Sequence, residues 1–309
     1  MLFHRDFRGY SGGHGKVWDY FGHVQAHPGW LPLIHFTQQS ISEGNPWRAA
    51  GVEAVGTWNP ERADALFVAG LDWEAFDGPP PRLPIINLIQ HVRHAEPGDP
   101  RYRWLPQPAV RICVSQPVAD AILSTGRVSG PVRVIDNGLQ LPVLAPSATS
   151  DKVLIAGQKQ PELAIQLRDL LRASNVAADL EIGWLPRNAF LAKLQAAKIV
   201  VALPSPTEGF YLPGLESMAL GRATVVPDCV GNRAYLQPGS NALVPEPTPV
   251  ALAEAVLQLL GDSTLRDSIA AGGPATAARF TMERERKAFH AILDGLDELW
   301  EQAWTATSR

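Results

Sequence analysis

The chain has only two cysteines in 309 residues, Cys113 and Cys229, too few for a disulfide framework. Both sit in apolar runs, "RICVS" and "VVPDCVG", where a free thiol behaves as a small hydrophobe, and a reducing cytoplasm is the compartment they fit. An excess of positive charge is also lacking. A net charge of -4 with a pI near 6.1 gives no electrostatic reason to hold nucleic acid, whose affinity comes largely from clustered Lys and Arg. No window approaches the roughly 18 to 20 apolar residues of a spanning helix, and "MLFHRDFRGYSGGHG" lacks the long apolar run of a signal peptide. The expected location is the cytoplasm, at most at the inner face of the membrane as a peripheral protein. Also missing are an Asp-x-Asp pair, a His/Cys/Glu cluster at zinc spacing, a Gly-x-Ser-x-Gly elbow, a Walker sequence and any repeat of solenoid period. No metal or resident cofactor is implied.

What is present is ordinary globular material, 46% hydrophobic and 19% charged, in a length that suggests two domains. Short apolar runs alternate with longer helical patterns, the mark of an α/β chain with parallel strands. In the first part "PLIHFTQ", "ADALFVAG", "LPIINLIQH", "VRICVS" and "VRVIDNG" read as strands, and "KVWDYFGHVQAH" and "QPVADAILSTG" as helices. The pattern lapses in "LQLPVLAPSATSD", a Pro- and Ser-containing linker. It restarts with "KVLIAG", the helical "PELAIQLRDLLRAS", "ADLEIGW", "NAFLAKLQAAK" and "IVVALP". At the end, Phe289, Ile292, Leu293, Leu296 and Leu299 share helical spacing in "MERERKAFHAILDGLDELWEQAW", which predicts one amphipathic helix packed on the body. Open parallel sheets bind ligands beyond the carboxyl ends of their strands, so a cleft between two such domains is the expected site.

One loop carries chemistry. "VALPSPTEGF" runs from a buried strand into Glu208 and Gly209, after which Pro213 can start a helix, "PGLESMAL", that Gly221 ends as a left-handed cap. Glu216 then falls in the first helical turn, with seven residues between it and Glu208. A carboxylate there can accept from a vicinal diol such as a ribose, with Glu208 at the other side of the same ligand. The spacing alone serves equally well for a helix-dipole partner and a solvated loop acid.

The stretch "EGFYLPGLESMALGRATVVPDCVGNRAYLQPGSNALVPEP" resembles the donor-binding segment of family 4 glycosyltransferases, retaining enzymes of the GT-B fold, whose signature is two glutamates separated by seven residues. "VRVIDNGLQLP", "VRICVSQPVADAIL" and "GYSGGHGKVWDYF" are similar to further segments of that family. The resemblance implies two Rossmann-like domains facing across a cleft: an acceptor-side domain over 1–142, a linker over 143–151, a nucleotide-sugar domain over 152–282, and a C-terminal helix over 283–309 packing back towards the first domain. It implies roles as well. Glu216 would hold the ribose, and Glu208 with the backbone of Gly209 and Phe210 the donor sugar hydroxyls, Tyr211 and Leu212 completing the donor-binding stretch. Tyr211 stands where the family has Gly, which narrows access beside the sugar. Lys159 would meet the diphosphate, and Gly12 and Gly13 would admit a diphosphate or acceptor closely. His91, with His94 in reserve beside Arg93, would lie near the reacting carbon. Gln158 occupies the place of an expected phosphate-binding Arg, for which Arg187 and Arg233 are the candidate replacements.

The function so implied is metal-independent transfer of a sugar, with retention, from a nucleotide-diphosphate sugar to an acceptor hydroxyl, in cell-surface glycan or glycoconjugate synthesis. The acceptor would be a glycan, a lipid-linked glycan or a small molecule. A non-catalytic nucleotide-sugar binding protein and a sugar-nucleotide epimerase of related fold are the alternatives.

Overall fold

The computed structural model describes residues 1–144 and 150–307. The chain divides into two compact units, Met1–Asn137 together with Glu283–Arg309, and Gly138–Met282. Of the expected linker 143–151, residues 145–149 lie outside those described.

Unit 1 runs β1 (Leu2–Arg5), α1 (Gly12–Gln25), β2 (Leu33–Phe36), α2 (Pro46–Ala49), β3 (Leu66–Ala69), β4 (Ile85–Ile89), β5 (Val110–Cys113), α3 (Gln116–Ser124) and β6 (Val132–Val134). Its six strands are ordered β2-β1-β3-β4-β5-β6, every pairing parallel. β3, β4 and β5 are buried throughout, as expected where both faces of a parallel sheet are covered. β1 is absent from the strands read in the sequence because no turn signal ahead of it marks its start.

Unit 2 runs β7 (Val153–Ala156), α4 (Pro161–Ala173), β8 (Ala178–Glu181), α5 (Arg187–Ala196), β9 (Ile199–Ala202), α6 (Leu212–Ala219), β10 (Ala223–Val225), α7 (Pro249–Gly261) and α8 (Ser263–Ala277). Its four strands are ordered β10-β9-β7-β8, again all parallel. The β-branched strands β7 and β9 pack with Leu167 and Leu171 of α4 and Leu252, Val256 and Leu259 of α7 into one core. Thr248 and Asp262 cap α7 and α8 by accepting from backbone N–H groups three residues on, a standard way to satisfy orphan helix-end donors.

The single helix expected at the end is instead two, α9 (Met282–Asp294) and α10 (Leu296–Thr307), interrupted at Gly295. Glycine is the weakest helix former after proline, so the break falls where continuation is least favoured. Among the described residues no helix is long and apolar enough to cross a membrane.

Candidate functional site

In both units the first strand is flanked by its successor on one side and by the next strand on the other, so the strand order reverses between β1 and β3 and between β7 and β9. Such a switch point leaves a crevice beyond the carboxyl ends of the two strands, where open α/β sheets take ligands.

At the switch point of unit 2, Lys159 follows β7 and Glu208 follows β9, and Lys159 Nζ lies 3.1 Å from Glu208 Oε1. Glu216 of α6 is buried, yet Arg187, the first residue of α5, brings Nη1 to 2.5 Å from its Oε1. Burial pushes the Glu216 carboxyl upwards, against the pull of the Arg187 guanidinium. Of the two candidate replacements for the expected Arg near Gln158, Arg187 is therefore beside the glutamate pair, whereas Arg233 is engaged by Asp228 at 2.6 Å. Gln158 Nε2 donates to Gly183 O at 3.3 Å, tying the loop after β7 to the loop after β8. Beyond that link Trp184 is 58% exposed, an aromatic face that no motif in the sequence marks.

Local sequence explains the loop. Gly231 sits so close to it that an added Cβ would lie 2.5 Å from Phe210 N and 2.6 Å from Glu208 O, and Tyr211 N donates to Gly231 O at 3.2 Å. Asn232 holds that turn by accepting from Cys229 N and donating to Pro227 O. Gly221 closes α6 with φ +65°, the expected left-handed cap. Two expectations change. α6 begins at Leu212, with Pro213 second, so no acid lies in its first turn and Glu216 belongs to the second. A neutralising partner comes from Arg187 rather than from the helix end. The Tyr211 and Phe210 side chains, moreover, are buried. The Tyr235 hydroxyl donates to Tyr211 O at 2.5 Å, and Phe210 packs on the Tyr235 and Phe280 rings. Both rings fill the core, so Tyr211 does not narrow the site with its side chain. Leu212 is half-buried.

In unit 1, Gly12 and Gly13 are the first two residues of α1 rather than a loop before it. Gln90, at the end of β4, donates to Gly13 O at 3.3 Å, which brings the start of α1 and the His91 segment to the same end of the sheet. His91 caps a 3-10 turn over Val92–Ala95, with Nδ1 accepting from Arg93 N. His94 is buried, and burial, with Arg101 nearby, drives its pKa down to about 3, so it is a neutral interior ring. A second cluster, Arg5, His14 and Asp72, occupies the β1/β3 switch point. No local pattern in the sequence marks it, since its members come from three separate segments.

Residues 122–262 match the model of the family described as glycosyl transferases group 1. The D-inositol 3-phosphate glycosyltransferase of Corynebacterium urealyticum is 28% identical over 236 residues, 74% of this chain and 55% of the relative. That of Jonesia denitrificans is 24% identical over 296 residues, 87% of this chain and 68% of the relative. The chain thus spans little more than half the length of the first of these relatives. Among solved structures, Anabaena Alr3699/HepE in complex with UDP superposes with a TM-score of 0.73 at 13% identity, covering 96% of this chain and 99% of that one. Sucrose-phosphate synthase from Thermosynechococcus elongatus gives 0.69 at 14% identity, over 96% and 98%. Residues 122–262 are thus similar to the glycosyl transferases group 1, and the two parallel-sheet units of the chain have the fold of the GT-B glycosyltransferases.

Proposed function

We propose that the protein is a retaining glycosyltransferase that moves a sugar from a nucleotide-diphosphate sugar to an acceptor hydroxyl, in the synthesis of a cell-surface glycan or glycoconjugate. The observation that carries this reading is the pair of cation-matched glutamates at the ligand end of unit 2, Lys159 with Glu208 and Arg187 with Glu216. Each acid already faces a charge that an incoming diphosphate can draw away. Lys159 turns to the phosphates, which frees Glu208 to accept from sugar hydroxyls. Glu216 accepts from the two ribose hydroxyls, while Arg187 supplies the second phosphate-side cation. The exposed ring of Trp184 offers a face on which a base stacks.

The anomeric carbon–oxygen bond to the diphosphate breaks as the acceptor oxygen joins the same face, and the acceptor proton passes to an oxygen of the leaving nucleoside diphosphate. The protein contributes orientation and charge stabilisation, with His91 of unit 1 near the reacting carbon and no protein nucleophile. Two cationic side chains take the place of a metal, and the work is done in the cytoplasm or at the membrane face. The relatives named as glycosyltransferases and the solved neighbour holding UDP support this reading.

A thermal-shift panel of UDP, GDP, ADP, TDP and CMP identifies the base, because a ligand bound to the native state alone raises its melting temperature. With that nucleotide, Glu216→Gln is expected to raise Kd about 10- to 100-fold, the worth of one or two charge-assisted hydrogen bonds, with the melting curve of the free protein little changed. An unchanged Kd refutes the ribose role. Binding with neither transfer nor donor hydrolysis points to a non-catalytic protein, and conversion of the sugar without acceptor points to an epimerase. Transfer that survives a chelator confirms metal independence.

A further inference from the structure

We infer that His14 is a hydrogen-bond donor to a ligand oxygen at the ligand end of unit 1, held in a single neutral tautomer by Arg5 and Asp72. The geometry fixes the tautomer. Arg5, the last residue of β1, points Nη2 at His14 Nδ1 over 2.9 Å. A guanidinium has donors only and stays protonated, so Nδ1 accepts and the ring proton sits on Nε2, on the far side of the imidazole from Arg5. Arg5 is itself immobilised, donating through Nη1 to Asp72 Oδ2 at 2.7 Å and to Ala69 O at 3.2 Å. Asp72 Oδ2 in turn accepts from Ala69 N at 2.8 Å, which pins the carboxylate to the end of β3. Phe7 flanks the imidazole with ring centroids 4.8 Å apart. Asp72 is buried and the Arg5 side chain is 11% exposed, while His14 is half-buried, so a firmly held pair aims a partly accessible ring.

The placement is that of a ligand-contacting group. Arg5 and Asp72 straddle the β1/β3 switch point, as Lys159 and Glu208 straddle that of unit 2, and His14 lies in the first turn of α1, next to Gly12 and Gly13. With its Nδ1 lone pair committed, the ring cannot serve as a general base. It can only donate, and burial together with Arg5 keeps it uncharged by lowering its pKa to about 4, against the opposing pull of Asp6. The partner is therefore a hydroxyl or phosphate oxygen, on either the sugar donor or the acceptor. Arg5 and Asp72 are positioning residues, since they act through His14.

The inference rests on the transferase reading, and its test separates the two. Nitrogen-15 NMR of the histidine-labelled protein should show His14 as the Nε2–H tautomer, uncharged at pH 6. A proton on Nδ1 overturns the inference without touching the transferase reading. In steady-state transfer, His14→Leu should lose about 10²-fold in kcat/KM, as when one preorganised donor is removed, and His14→Gln, which restores an N–H near the Nε2 position, should recover much of it. A raised KM for the nucleotide sugar places the partner oxygen on the donor; a raised KM for the acceptor places it there. Should His14→Leu fail to fold, His14→Gln and the tautomer decide. Wild-type kcat/KM in His14→Leu, or a Gln variant no better than the Leu variant, overturns the inference while Glu216→Gln still tests the function. Failure of the wild-type protein to transfer sugar to any acceptor overturns both.

Discussion

Asp72 has a guanidinium 2.7 Å away, yet burial outweighs it, and its pKa rises from 3.8 to about 6. A carboxyl that binds its proton more tightly in the folded state favours folding fully below pH 3.8, and that contribution is lost as pH rises through about 6. The shift amounts to on the order of 3 kcal/mol. The melting temperature of the wild-type protein relative to Asp72→Asn should therefore climb steadily as the pH is lowered from 7 to 4. A constant difference over that window would mean that Asp72 is not perturbed. Only part of this chemistry can be read from the sequence. Glu208 and Glu216 stand in one contiguous run, at a spacing visible in the sequence, and Lys159 follows the first strand of its sheet. Arg5 and Asp72 are 67 residues apart, and nothing in either local pattern announces that a parallel sheet will set their strand ends side by side.

Elements show the same division between local and distant causes. Pro213 near the start of α6 and Gly221 just past its end bracket that helix in the sequence, and the structure moves only its first residue, but that one step takes Glu216 out of the first turn. The turn at Val230–Asn232 is a distant cause: its fit against the Glu208 loop depends on contact that no periodicity encodes. Because Phe210 N and Glu208 O are backbone atoms lying 2.5 and 2.6 Å from where a Cβ would be added to Gly231, neither can rotate out of the way. Gly231→Ala must displace the loop that carries Glu208, at a cost of about 1–3 kcal/mol for overpacking, and should weaken nucleotide binding at the same time. Chemical denaturation and nucleotide titration measure the two effects. If affinity is kept while stability falls, the Glu208 backbone is not part of the donor site.

For the whole molecule, the decisive feature is that the last segment of the chain is built into the first unit. The apolar stripe Phe289, Ile292, Leu293 and Leu296 announces a packed face without saying against what, and the family resemblance supplies the direction. The structure supplies the cause. Phe289 meets Tyr20 edge to face at 4.8 Å, His290 Nε2 lies 2.8 Å from His23 O, and the buried Lys16 Nζ lies 2.7 Å from Glu285 and 2.8 Å from Asp19. Burial opposes both charges, pressing the Lys16 ammonium down and the Glu285 carboxyl up. Their mutual attraction, with Asp19 and His23, reverses both shifts, so each ion depends on the other for its place inside. Removing one partner of such a pair leaves an uncompensated buried charge and costs about 3–5 kcal/mol, whereas removing both is often neutral. Lys16→Met and Glu285→Leu should each lower the melting transition of unit 1 steeply, and the double variant should recover most of the loss. Calorimetry with and without the bound nucleotide assigns the transitions, because a ligand held by Glu208 and Glu216 raises that of unit 2. If each single variant costs under about 1 kcal/mol, as an exposed pair does, then apolar contact alone holds the C-terminal segment to α1.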